Sequence, residues 1–170
     1  LGRPLIAHPD DLAEVIRDPV RLGHDEICDD LLEVVGAHKE GEFTVAGTPT
    51  GPASDRLRLA NRRHLVRIAS RDVSADDPTE IIEDVAAELA DLADGIVTAA
   101  LALARADCPD HADARLAIIA MGKCGAQELN YISDVDVMYV AEPANDDVSG
   151  ASAVTIATKL AASVARMCSA

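Results

Sequence analysis

Asp77-Pro78-Thr79-Glu80 is a strong helix start, with an Asp at the N-cap, a Pro at the first helical position and a Glu three residues after the cap. From there Ile82, Val85, Leu89, Leu92, Ile96, Ala100 and Leu103 recur in steps of three and four, which predicts one helix to about Ala106. Glu80, Glu83, Asp84, Glu88, Asp91 and Asp94 line its other faces. So long a stripe must be covered, and the preceding segment supplies a cover. Between Asp55 and Arg71, apolar positions repeat at Leu57, Ala60, His64 or Leu65, and Ile68, while Arg56, Arg58, Arg62, Arg63, Arg67 and Arg71 hold six of the 15 basic residues. One basic and one acidic helix, antiparallel, is the simplest arrangement. The alternative is that the arginines form a docking face for an acidic partner or a phosphate.

Composition supports helices packed closely. Only Phe43, Tyr131 and Tyr139 are aromatic, against 31 alanines, which disfavours an aromatic-rich sheet sandwich. The first forty residues read as short acidic helices, with stripes at Leu12, Val15 and Ile16 and at Ile27, Leu31, Leu32, Val34 and Val35. Gly41, Gly47, Pro49, Gly51 and Pro52 predict a loop over about 41–54, the best internal boundary within a helical region 1–106. After Cys108-Pro109-Asp110 the period changes. Leu116–Met121 is a short continuous apolar run that suits a strand buried on both faces, and Val135, Val137 and Tyr139 alternate with Asp134, Asp136 and Met138 as a second strand. Asn145–Gly150 is a polar loop. Ser152–Cys168 is an Ala-rich helix with Val154, Ala157, Leu160, Ala161, Val164 and Met167 on one side. The class is α+β, mostly helical.

The charge narrows function. Thirty acidic residues against 15 basic leave −15, which argues against unaided nucleic-acid binding and requires a metal ion or a local loop to meet any phosphate-bearing ligand. The most apolar run, Ile96–Ala104, falls well short of the roughly 20 residues of a membrane span. Cys28, Cys108, Cys124 and Cys168 have no C-x-x-C pattern and no zinc-finger spacing to a His, so neither a zinc site nor a disulfide framework is indicated and a reduced, cytoplasmic protein is expected. The chain opens on Leu1 with no basic n-region before an apolar stretch, and its last helix lacks a stop signal, so no leader is expected and both ends read as cuts.

The chemistry concentrates in Met121-Gly122-Lys123-Cys124-Gly125-Ala126-Gln127-Glu128-Leu129-Asn130-Tyr131-Ile132-Ser133-Asp134-Val135-Asp136-Val137. It is not a P-loop, because no Gly stands five residues before Gly122 and Cys124 occupies the hydroxyl position; nor is it G-x-G-x-x-G. On a strand, residues two apart share a face with Cα atoms roughly 6.5–7 Å apart, so Asp134 and Asp136 can converge on one hard divalent cation or bridge a pair of them. Two such ions about 3.5–4 Å apart can hold the attacking and leaving oxygens of a phosphoryl displacement. The Gly125-Ala126 turn lets backbone approach a phosphate. The competing reading is that both acids merely form the wet face of a strand.

The segment resembles the nucleotidyltransferase signature of the DNA polymerase beta superfamily, a small-residue turn followed by a D-x-D strand. More closely it resembles the glutamine synthetase adenylyltransferase/adenylyl-removing family, with its pattern G-x-G-K-x-G-G-x-E-L-x-x-x-S-D-x-D. Gly122, Lys123, Gly125, Glu128, Leu129, Ser133, Asp134 and Asp136 match in register. Asn61–Ala69 and Glu88–Asp94 also resemble the family's helical lead-in, so the likeness covers about residues 50–170. The resemblance implies a helical lead-in and, over 107–170, the first part of a nucleotidyltransferase domain with a small mixed sheet. It implies magnesium held by Asp134 and Asp136, phosphate cradled by Gly122, Lys123, Gly125 and Ala126, and Ser133 bonding phosphate or orienting a carboxylate.

Glu128-Leu129-Asn130-Tyr131 is closer to the family's adenylyl-removing copy, where Asn commonly follows Glu-Leu, than to its adenylylating copy. The implied reaction is phosphorolysis of AMP from a tyrosine of glutamine synthetase. The implied partners are glutamine synthetase, phosphate and nucleotide (ATP, ADP or AMP), with a PII nitrogen-signalling protein besides. The other expectations are the adenylylating copy and a helical docking module without activity. Two positions depart from the pattern: Ala126 where a second Gly is usual and Cys124 where an apolar residue is usual. Ala126 serves if its backbone does not need positive φ. Cys124, with no His adjacent in sequence to act as a base, reads as a small buried residue. Tyr131 and Met138 read as core or sheet packing. The family's third carboxylate belongs to a later segment than this chain contains, so the chain by itself is expected to be inactive.

Overall fold

A computed structural model describes residues 20–47 and 50–169. The Leu12, Val15 and Ile16 stripe lies outside them. The described chain runs α1 (His24–Val34), β1 (Ala37–Glu40), β2 (Phe43–Ala46), α2 (Thr50–Ser74) and α3 (Pro78–Ala106). A 3-10 turn (His111–Asp113) then leads to β3 (Ala114–Ala120), a four-residue α4 (Gly122–Gly125), β4 (Val137–Pro143) and α5 (Gly150–Cys168).

The long helix forms as its sequence dictates. Asp77 Oδ1 accepts the Thr79 N–H at 2.9 Å, and Pro78 occupies the first turn. α3 is the spine of the molecule: α1, α2, β2 and α5 all pack against it, α5 toward its C-terminal end. One core gathers Ile27 and Leu31 of α1, Leu57 and Ile68 of α2, and Val85, Leu89, Leu92 and Leu103 of α3. A second gathers Ala100 and Ala104 of α3 with Ala114 and Leu116 of β3 and Ile156, Leu160 and Val164 of α5. Each fully buried Leu or Ile contributes about 1.5–3 kcal/mol by leaving water. The alanines serve as composition suggests: Ala53, Ala99, Ala100 and Ala114 are wholly buried, and small side chains let the elements approach closely.

Several expectations change. The stretch 41–54 is not one loop. Gly41, at φ +61°, turns a hairpin whose second strand buries Phe43, Val45 and Ala46, and α2 begins at Thr50, with Pro52 in its first turn, where a missing N–H costs nothing. Ile82 at the head of the α3 stripe is exposed, whereas Glu88 and Asp91, placed on its outer faces, are buried. In α5 the covered side is Ala153, Ile156, Ala157, Leu160 and Val164, and Val154 points outward.

Among the described residues both sheets are two-stranded and antiparallel, so the expected mixed sheet is here an antiparallel pair. β3 is covered on one face, not two. Ala114 and Leu116 are buried while Arg115, Ala117 and Ile119 face outward, because α5 and α3 pack against a single side of the pair.

Candidate functional site

The ladder of β3 and β4 continues one step past its strands, with Met121 N–H donating to the Asp136 carbonyl at 2.8 Å. The chain then reverses through α4. Gly122 sits at φ +53°, and a Cβ on Gly125 would lie 2.5 Å from the Ala120 carbonyl oxygen. Both positions therefore call for glycine. Ala126 does not: its φ of −86° and ψ of −2° are ordinary for an L-residue, so the departure from the family pattern is accommodated. The left-handed step falls on Gln127, at φ +58°.

Side chains from two helices hold this loop. Gln127 Nε2 donates to Asp91 Oδ1 of α3 at 3.2 Å, and Tyr131 Oη donates to Asp72 Oδ2 of α2 at 3.0 Å. Burial and the adjacent Asp72 carboxylate hold the Tyr131 phenol well above its usual range. Leu129 is buried against the first core. Ser133 Oγ donates to Asn130 Oδ1 at 2.8 Å, so it braces the loop rather than a carboxylate.

Asp134 and Asp136 lie just before β4, which starts at Val137, and not within the strand expected there. Pairing with Met121 nonetheless fixes the register. By the two-residue period, Asp136 shares a face with Met138 and Val140, and their neighbours Ile119 and Ala117 on β3 make this the open side of the sheet. Asp136 Oδ2 lies 3.4 Å from the point where a Cβ on Gly122 would stand, so this acid sits over the glycine turn. Asp134, with Asn130, Tyr131 and Ser133, lines an open cleft of about 530 Å³ whose far wall is Asn61 and Leu65 of α2 and Leu89, Leu92 and Ile96 of α3.

Both carboxylates are exposed, and neither accepts a side-chain or loop hydrogen bond among the described residues. Lys123 is exposed too, its ammonium unpaired among the described residues. Two acceptor-only groups without internal partners fit a hard, oxygen-seeking cation. The described residues bring no third His, Cys, Asp or Glu into a ligating group with them.

Gly122, Lys123, Gly125 and Ala126 thus form one turn under Asp136, while Ser133 and Asp134 line the cleft beside it. Cys124 is buried, and burial pushes its thiol up, as suits an inert packing residue. Tyr131 and Met138 are exposed rather than packed: Tyr131 meets Asp72 near the end of α2 through its hydroxyl, and Met138 lies on the open face. The supports Asp91 and Asp72 escaped sequence reasoning, because only tertiary packing brings them to the loop.

The basic helix is inner on one side only: Arg56, Arg58 and Arg63 are exposed, whereas its C-terminal arginines turn inward. Arg67 and Arg71, 12% and 14% exposed, converge on fully buried Glu88 at 2.7 and 2.5 Å, and Glu88 also accepts the Leu22 N–H. His64 Nε2 meets Asp30 at 2.8 Å. This is the partnership of basic and acidic helices, and it withdraws Arg67 from any docking face.

The family model for glutamate-ammonia ligase adenylyltransferase matches residues 26–170. The chain belongs to the glutamate-ammonia ligase adenylyltransferase family. It is 99% identical, over its whole length, to a Cutibacterium acnes protein named bifunctional glutamine synthetase adenylyltransferase/adenylyl-removing enzyme, of which it covers 17%. Proteins of the same name from Streptomyces coelicolor and Bifidobacterium longum subsp. infantis are 54% identical over 116 residues (66% of this chain, 11% of the relative) and 42% identical over 139 (81% and 13%). The chain therefore spans less than a fifth of these adenylyltransferases. No solved structure matches it. Among the described residues no helix is long and apolar enough to cross a membrane.

Proposed function

We propose that the chain carries the phosphate-handling face of the adenylyl-removing half of a glutamine synthetase adenylyltransferase. Its reaction is phosphorolysis: a phosphate oxygen attacks the phosphorus of AMP esterified to a tyrosine, the bond to the tyrosine oxygen breaks, that oxygen takes up a proton, and ADP leaves. The observation that carries the reading is Asp136 standing over the Gly122–Gly125 turn, with Asp134 two residues back at the cleft and no internal partner for either among the described residues. Two exposed carboxylates near a backbone shaped for close approach support a metal-assisted phosphate site.

Asp134 and Asp136 would hold magnesium in this reading, and the ion would supply the positive charge that a chain of −15 lacks, against the charge on the phosphoryl oxygens. Lys123 adds an exposed cation at the turn. Gly122, Gly125 and Ala126 present backbone to the phosphate, and Ser133, held by Asn130, keeps the residues before Asp134 in position. Asn130 after Glu128-Leu129 supports the adenylyl-removing over the adenylylating copy. Residues 1–106 act as a helical support and 107–170 as the first part of the nucleotidyltransferase domain. The partners are glutamine synthetase, phosphate and adenine nucleotide, with a PII nitrogen-signalling protein as a further partner, and the setting is the cytoplasm.

The test is the full-length polypeptide with Asp134→Asn and, separately, Asp136→Asn, assayed for both directions. Deadenylylation lost with adenylylation retained supports the reading. The reverse pattern reassigns the chain to the adenylylating copy.

A further inference from the structure

α1 crosses α3 where a side chain is missing. A Cβ on Gly95 would stand 2.8 Å from Leu31 Cδ1, 3.4 Å from Ile27 Cγ2 and 3.6 Å from Cys28 Cα. That close approach brings Asp94, the residue before Gly95, against two residues one helical turn apart on α1, His24 and Cys28. Asp94 Oδ2 is 2.5 Å from His24 Nε2, and Cys28 Sγ is 3.5 Å from the same nitrogen. All three donor atoms lie within 4.8 Å of one another. The other ring nitrogen of His24, Nδ1, is 3.0 Å from Asp25 Oδ1.

We propose that His24, Cys28 and Asp94 form a site for a zinc-class divalent cation that ties α1 to α3, with water as the fourth ligand. One nitrogen, one sulfur and one carboxylate oxygen suit a borderline-soft tetrahedral ion and not magnesium or calcium, which take oxygen. Zinc–ligand lengths of about 2.0–2.3 Å put donors roughly 3.3–3.7 Å apart in a tetrahedron. The His24–Cys28 separation already meets this. The His24–Asp94 pair has to open by roughly 1 Å, and both side chains are about half exposed, at 47% and 49%, so they have room to move and admit water. Cys28 is buried and fixes the base of the site. A thiolate and a carboxylate neutralise a divalent ion. The Asp25–His24 contact is the carboxylate–imidazole arrangement that orients metal-bound histidines, leaving Nε2 for the metal. The sequence shows only the His24/Cys28 spacing; Asp94 lies 70 residues from His24 and joins through the fold.

The experiment uses the full-length polypeptide, stripped of metal with a chelator and titrated with cobalt(II) as a spectroscopic stand-in for zinc. The expected result is a thiolate-to-cobalt charge-transfer band with tetrahedral d–d absorption, displaced by zinc and missing from Cys28→Ser. Zinc raises the thermal midpoint of the wild type but not of this variant, as ligand linkage requires. Should Cys28→Ser fail to fold, Asp94→Asn and His24→Gln, both at exposed side chains, are to weaken zinc binding by on the order of 10-fold or more. A cobalt spectrum without a thiolate band, a band unchanged in Cys28→Ser, or zinc affinity unchanged in Asp94→Asn and His24→Gln overturns the proposal and leaves a plain His24–Asp94 ion pair. The Asp134/Asp136 pair has oxygen donors only and gives no thiolate band, so failure there reads out separately.

Discussion

Glu88 is where stability is most exposed to a single change. It is fully buried, and both carboxylate oxygens are used, one by Arg67 and the Leu22 N–H and the other by Arg71. Glu88→Gln keeps the shape and removes the charge. Two guanidinium groups, each less than 15% exposed, are then left in the interior with no counter-charge at that point. Breaking a buried ion pair from one side costs about 3–5 kcal/mol, because the surviving charge is neither hydrated nor paired. For a chain of this size each kcal/mol moves the midpoint by about 2–4 °C, so the loss should be roughly 6–20 °C by far-ultraviolet circular dichroism. Replacing the whole group (Arg67→Met, Arg71→Met, Glu88→Leu) should recover most of that, since an apolar substitute of like volume carries no desolvation penalty. A Glu88→Gln midpoint within about 2 °C of wild type would refute the pairing of the basic and acidic helices.

Three further outcomes follow from the same structure. Gly125→Ala puts a methyl 2.5 Å from the Ala120 carbonyl oxygen, backbone that cannot step aside; displacing the turn by about 1 Å should cost phosphorolysis in the full-length protein on the order of 10²-fold. Asp77, capping α3, has its carboxyl held below the usual range by its bonds from Thr79, so its stabilising contribution is present above the unfolded carboxyl pKa and lost as pH falls through the folded one. Asp77→Ala should therefore lower the thermal midpoint at neutral pH and lower it progressively less in acid. The 170-residue chain alone should release no ADP from adenylylated glutamine synthetase with phosphate, since its described residues place no third carboxylate beside Asp134 and Asp136.

The sequence was most legible where local chemistry decides. The cap of α3, its stripe from Val85 onward and the stripe of α2 form where their residues require, and Ala126 is tolerated for the backbone reason that made it acceptable in sequence. What escaped was decided by contacts distant in the chain. The β1–β2 hairpin is held by Phe43, Val45 and Ala46 packing near the end of α3, where Arg105 lies 5.2 Å from the Phe43 ring centroid, and no local pattern announces that. Glu88 and Asp91 looked like solvated acids because their partners come from α2 and from the loop after α4. The apolar run of β3 suggested two covered faces, yet α5 and α3 cover one and the outer face stays open beside the acids. The D-x-D pair stands out in the sequence by its residues, but strand geometry starts one residue after it.

The most direct test follows the phosphate itself. Full-length protein is incubated with adenylylated glutamine synthetase and radiolabelled inorganic phosphate, wild type beside Asp136→Asn. Label is expected in the β-phosphate of ADP with the wild type and none with the variant, while ATP-dependent adenylylation by the variant persists. Label in ADP from the variant at the wild-type rate, or loss of adenylylation in its place, would contradict the assignment of Asp136 to phosphorolysis.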